Sequence, residues 1–272
     1  MATLNGIVRF SGQLGDLVFY RRGKKDVVRH APTLHQLSEN SRKSATDFGH
    51  ASRNAAYIRK AFAAMVKDYG YGDLHNRLNK KLIEIFKTAP PAQAGQKKLV
   101  DGNIKLLQGF EFNAATKLEQ LLIRKPAVIL TDNGSIQLLI PKIETKHLVK
   151  FVPKSDDFVL QLSIFNFEVN TEKYELIKVN DLRFSLEQSE FPGAKLLIPF
   201  EPEGKRILLL AIGLHYLHGQ VKKDDRRYYG CQISHCFHLQ DGVEVEFVAP
   251  VKERVELLDE EEQGLSWEMG EG

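Results

Sequence analysis

The hydrophobic period of this chain changes partway along it, and that change restricts the folds open to it. Between about residues 38 and 67, Phe48, Ala51, Ala55, Ile58, Phe62 and Met65 recur at alternating steps of three and four, which predicts one apolar face of a helix. After Pro126 the apolar residues fall instead in short β-branched and aromatic runs near 128–130, 136–140, 158–169, 176–179, 196–200, 207–217, 228–239 and 243–248. Turn residues separate them at Asp132-Asn133-Gly134, Glu201-Pro202-Glu203-Gly204, Lys222-Lys223-Asp224-Asp225 and Asp241-Gly242. Strands at this spacing point to an antiparallel sandwich or barrel.

The N-terminal residues give a third pattern. Short β-rich segments at 6–10, 17–20 and 26–29, with glycine turns between them, predict a hairpin or small meander. Tyr69-Gly70-Tyr71-Gly72 stops the first helix, and Asp73 is the expected cap of a second carrying Leu74, Leu78, Leu82, Ile85 and Phe86. The expected class is therefore α+β: an N-terminal β-hairpin plus helical hairpin, then an antiparallel, Ig-like β-sandwich. Consecutive prolines at 90 and 91, amid small polar residues, predict a linker. That divides the chain into a basic hairpin and helical region at 1–88, a linker at 89–98, a β-sandwich with a short helical lead-in at 99–252, capped at Asn113, and an acidic tail at 253–272.

The N-terminus shows no charged region followed by an apolar run, and no stretch approaches the roughly 18 apolar residues that cross a bilayer. With two cysteines the chain lacks a disulfide framework, so the expectation is a reducing compartment, the cytoplasm, and no membrane partner. The net charge of +3 conceals an asymmetry. Residues 1–126 carry 22 Lys and Arg against 10 Asp and Glu, the remainder 16 against 25. A basic half of this kind suits nucleic acid, head-to-tail pairing of copies, or a solvated face.

The stretch Phe10-Ser11-Gly12-Gln13-Leu14-Gly15-Asp16-Leu17-Val18-Phe19-Tyr20, with Gly23-Lys24-Lys25-Asp26-Val27-Val28-Arg29 and Pro32, resembles the opening of a family of uncharacterised Bacteroidota proteins. In that family an FSGKxGxxVxY-like hairpin precedes a long amphipathic helix. Gly109-Phe110-Glu111-Phe112-Asn113 is similar to the GFEFN element that begins the family's β domain. The resemblance covers most of the chain and implies an architecture without implying a chemistry.

No phosphate-cradling loop, nucleophile elbow, HExxH helix or EF-hand loop is present. The most metal-like set is His215, His218, Cys231, His235, Cys236 and His238. Strand alternation puts Cys231, Ile233, His235, Phe237 and Leu239 on one face and Cys236 and His238 on the other, which splits the ligands. The expectation is structural histidines, with no metal, no cofactor and no catalytic residue. The basic hairpin tip, Arg21, Arg22, Lys24 and Lys25 with Arg29 behind it and Phe19 and Tyr20 beside it, has two readings. It contacts a phosphate backbone, or it is a solvated turn whose charges prevent edge-to-edge aggregation. The leading expectation for function is a non-enzymatic structural or protein-interaction protein, self-assembling or bound to a protein partner. The alternative is a nucleic-acid-binding protein using the basic half.

Overall fold

The computed structural model describes residues 2–4, 11–31, 37–131 and 134–250. Three expectations lie outside them: the strand at 6–10, the turn at Asp132-Asn133, and the acidic tail. The fold is α+β, and the chain forms two compact units that divide between Ala45 and Thr46.

The first unit is a four-stranded antiparallel sheet of β1 (Ala2–Leu4), β2 (Gly12–Leu14), β3 (Leu17–Arg22) and β4 (Lys25–His30), in the order β1-β4-β3-β2. Its two tight hairpins have two-residue turns, Leu14 pairing with Leu17 and Arg22 with Lys25. Such turns need positive φ, which Gly15 and Gly23 supply at 59° and 63°. Val27 is the one apolar side chain among this unit's described residues that is fully buried. Helix α1 (Glu39–Ala61) starts in this unit. Ser38 caps it, its Oγ accepting from the Ser41 N–H at 3.2 Å, and Lys43 pairs with Glu39 one turn back at 2.7 Å.

The second unit has three layers. Ala51, Ala55, Ile58 and Ala61 of α1 are buried, and the chain bends at Phe62 (φ −83°, ψ 23°) into α2 (Ala63–Tyr69). Helix α3 (Leu74–Thr88) buries Leu74, Leu78, Leu82, Ile85 and Phe86. These helices lie against a large antiparallel sheet. Its strands are β5 (Phe110–Glu111), β9 (Asp157–Glu168), β10 (Lys173–Lys178), β11 (Leu182–Ser185), β14 (Lys205–His218), β15 (Val221–Lys222), β16 (Tyr229–Gln240) and β17 (Val243–Glu244). Its main path runs β10-β9-β14-β16-β17. Across the other face sits a smaller sheet, β13 (Ala194–Pro199), β7 (Ser135–Ile140) and β6 (Ala127–Thr131), in the order β13-β7-β6. The pair β8 (Ile143–Glu144) with β12 (Glu190–Phe191) and the short α4 (Thr145–Leu148) complete the unit.

Both faces of the large sheet are covered, which is why β9 and β14 read as near-continuous apolar runs. Phe165, Phe167, Ile207, Leu209 and Ala211 meet the helices. Their neighbours Leu162, Ile164, Leu208, Leu210 and Ile212 meet the smaller sheet. Two sheets facing across an apolar core are the expected sandwich, and the helices cover its outer side.

Four expectations change. Phe48 is 56% exposed rather than on the buried face. Asp73 adopts the left-handed conformation (φ 50°) and makes no side-chain cap. Asn113 caps no helix; its amide donates to the Arg226 and Tyr229 carbonyls, both at 2.9 Å. The 89–98 stretch is a fastened turn. The Asp47 carboxylate accepts from the Gly95 N–H at 3.0 and 3.1 Å, Lys97 Nζ donates to the Phe86 carbonyl at 2.9 Å, and Ala89 is buried. The prolines end α3, but the backbone amides beyond them find a carboxylate, so helices and sheet share one core across this segment. No helix among the described residues is long and apolar enough to cross a membrane.

Candidate functional site

The five cationic positions singled out in the sequence all lie in the first unit, and register sorts them. In β3 and β4, Arg22 stands opposite Lys25, Tyr20 opposite Val27 and Val18 opposite Arg29. Directly paired residues share a face, so Arg22, Lys25 and Arg29 lie together with Tyr20. The Arg29 guanidinium sits over the Tyr20 ring, 5.5 Å from its centroid. Gln13, opposite Val18, joins this face, and no carboxylate does among the described strand positions. Arg21 is on the reverse face opposite Asp26, with its Nε donating to the Gly23 carbonyl at 3.1 Å. Lys24 is in the turn. The structure therefore brings three of the five together and separates Arg21. Like charges directly opposite in a ladder repel, so the Arg22–Lys25 pair favours an anion between them.

The reverse face carries Leu14, Leu17, Phe19 and Val28. Leu14 is 73% exposed. Arg53, Arg59 and Lys60 of α1 belong to the second unit, where Arg53 approaches Glu172 at 3.9 Å.

The second unit holds two titratable sites of the kind found in enzymes. Tyr69, fully buried at the end of α2, lies over Gly213, where a Cβ would come within 2.8 Å of its ring. Its hydroxyl is 2.8 Å from His215 Nδ1 and donates to Gln161 Oε1 at 2.6 Å. Because that single proton goes to Gln161, His215 Nδ1 is the donor to Tyr69. Gln161 Nε2 then donates to the Asp181 carboxylate at 2.9 Å. Burial, reinforced by the Lys222 charge, lowers the His215 pKa to about 4, and burial raises that of the Tyr69 phenol. The imidazole is neutral, and this chain of bonds joins helix α2 to the sheet.

Glu111 is the second. Burial raises its pKa to about 7, against the Leu118 N–H at 3.2 Å and Gln232 Nε2 at 2.5 Å, which both donate to the carboxylate. Gln232 Oε1 accepts from Lys125 Nζ at 3.1 Å, so the amide links acid and ammonium. The sequence marks Tyr69 only within a helix stop and Glu111 only within the GFEFN-like element, since their partners lie far away along the chain.

The histidine and cysteine set does not converge. Among the described residues no group of three or more His, Cys, Asp or Glu is placed to hold a metal ion. The facing expected for β16 is corrected by a β-bulge. Leu210 pairs with His235 but Ala211 with Ile233, so Ser234 is the extra residue. Beyond it the alternation inverts. Cys231, Ile233 and Cys236 meet the helices, while Phe237 and Leu239 meet the smaller sheet, and His235 stacks on Phe237 at 6.1 Å. Both thiols are buried and free, and burial pushes Cys236 up to about 12. His218 pairs with Asp156 at 3.2 Å.

No protein-family model matches the chain, and no curated protein matches it.

Proposed function

We propose that the protein is a non-enzymatic binding protein and that the N-terminal sheet engages nucleic acid through the face bearing Arg22, Lys25 and Arg29. The observation that carries this reading is the like-charged cross-strand pair Arg22–Lys25, on a face with a third cation, the Arg29 guanidinium, over Tyr20 and no carboxylate among its described positions. A phosphate backbone supplies the anions that such a face lacks, and the sheet holds the cations at fixed spacing.

Titration of a labelled single-stranded oligonucleotide at increasing salt tests it. A log–log salt slope of about −2 is expected from three cations, at roughly 0.7 per phosphate, and the R22Q/K25Q/R29Q variant is expected to remove that contribution and weaken binding. Absence of binding at low salt would sink the reading.

A second reading, self-association, is supported by the reverse face, where Leu14 projects beside Leu17 and the next row carries Phe19 and Val28. Sedimentation over the micromolar range decides it. A strict monomer excludes this reading and leaves the first intact.

A further inference from the structure

The surface richest in cation–aromatic contacts lies in the second unit. Among the described residues, five of eight such contacts fall on the segment Lys222–Tyr229 and the two tyrosines it covers. Energetically significant pairs occur roughly once per 70–80 residues in proteins generally, so this concentration stands out. Two of the five are internal: Lys222, half-buried, covers Tyr69 and Tyr229 and donates to the Asp68 carbonyl at 2.7 Å. Three are external. The exposed Arg226 guanidinium lies 3.9 Å from the centroid of Tyr71, itself 37% exposed, and Lys223 and Arg227 flank Tyr228 at 5.3 and 5.4 Å.

The loop is held in place from beneath. The Arg226 carbonyl accepts from Asn113 Nδ2 and from Thr116 Oγ1, both at 2.9 Å, and Asp225 accepts from the Arg227 N–H at 3.0 Å. A surface pre-organised by buried donors loses little entropy when it binds. Beside it is an open depression of about 600 Å³ lined by the buried Leu121 and the exposed Ile123 together with Thr116, Gln120, Lys150 and Arg227. Asp224 and Asp225 offset much of the charge, and Asp225 pairs with Arg227 at 2.6 Å. What this surface offers is flat stacking area more than net charge.

We propose that this loop is a base-stacking contact for single-stranded nucleic acid, in which a base lies on the Arg226–Tyr71 stack and its neighbour enters the depression. Planar guanidinium and phenol groups accept any base, and Lys150 is placed for a flanking phosphate. The inference rests on the functional reading above but uses a different unit and a different interaction, which allows the two to be tested apart.

The experiment uses the full chain, a labelled oligothymidylate and an abasic strand of equal length. The unaltered protein is expected to prefer the oligothymidylate by roughly tenfold, the worth of about one stacked base. R226K keeps the charge and loses the plane, so it is expected to remove that preference while leaving abasic binding unchanged. R226Q leaves the anchored backbone in place and is expected to behave likewise on thymidylate. R22Q/K25Q/R29Q is expected to weaken both strands equally. Equal binding of both strands by the unaltered protein, or an unchanged preference in R226K, overturns the loop contact even if the sheet variant loses binding. An unaffected sheet variant beside an affected R226K overturns the reading for the sheet and leaves the loop contact standing.

Discussion

A histidine that folds only in its neutral form makes a protein sensitive to acid. His215 has a native pKa of about 4, below the ordinary 6.5, so the unfolded chain binds the extra proton first as pH falls. Stability is therefore full above pH 6.5 and declines from there toward pH 4, by about 2–3 kcal/mol. Glu111 acts in the opposite sense. Its native pKa is raised to about 7, so its burial costs nothing in acid and an increasing, solvent-screened amount as pH rises from 4.5 to 7. Between these limits the two nearly cancel. Urea unfolding from pH 4 to 8 should show H215N losing the acid decline, because its amide can still donate to Tyr69, and E111Q losing the decline toward neutrality. Parallel profiles for both variants and the parent would contradict these assignments. Gly213→Ala should destabilise by about 1–3 kcal/mol in the same assay, since the new methyl meets the Tyr69 ring at 2.8 Å. The sequence could not show this site. His215 stood out only as one of several histidines, and Tyr69, read as part of a helix stop, meets it through the packing of α2 on the sheet.

At the scale of elements, periodicity predicted the long strands and both long helices well, because each buries a face against a continuous partner. It failed where a single residue alters the phase. The extra Ser234 leaves β16 looking like a regular strand, yet it inverts the facing of every later residue. The fastened turn at 89–98 was hidden for a related reason. Proline composition reports where a helix must end, and it carries no record of Asp47 capturing the amides beyond. The bulge makes two checkable statements. Cys231 and Cys236 should both resist a thiol reagent until the unit unfolds, as their burial and raised pKa require. Deleting Ser234 makes Ile233 and His235 consecutive positions of a regular ladder, so Cys236 should still face the helices and Phe237 the smaller sheet, and cooperative unfolding by circular dichroism should be retained. Loss of the sharp transition would show that the bulge is itself required.

For the molecule as a whole, the charge asymmetry was legible while the place of division was not. Residues 1–45 carry 8 Lys and Arg against 3 Asp and Glu, and the division falls there, inside α1, well before the prolines. Both apolar cores of the second unit are built from residue 51 onward. A fragment beginning at Thr46 should therefore melt cooperatively within a few degrees of the second unit in the full chain, as scanning calorimetry would measure. A fragment that aggregates or melts without a transition would refute this. Arg22 facing Lys25 adds a consequence of another kind. Most small sheets are weakened by salt where ion pairs hold them, but this one carries a repulsion of a few tenths of a kcal/mol that mobile ions relieve. A multivalent anion held between Arg22 and Lys25 should then stabilise the first unit where a simple salt, which also screens Arg21 from Asp26, does not, so the medium itself tunes the platform before any partner arrives.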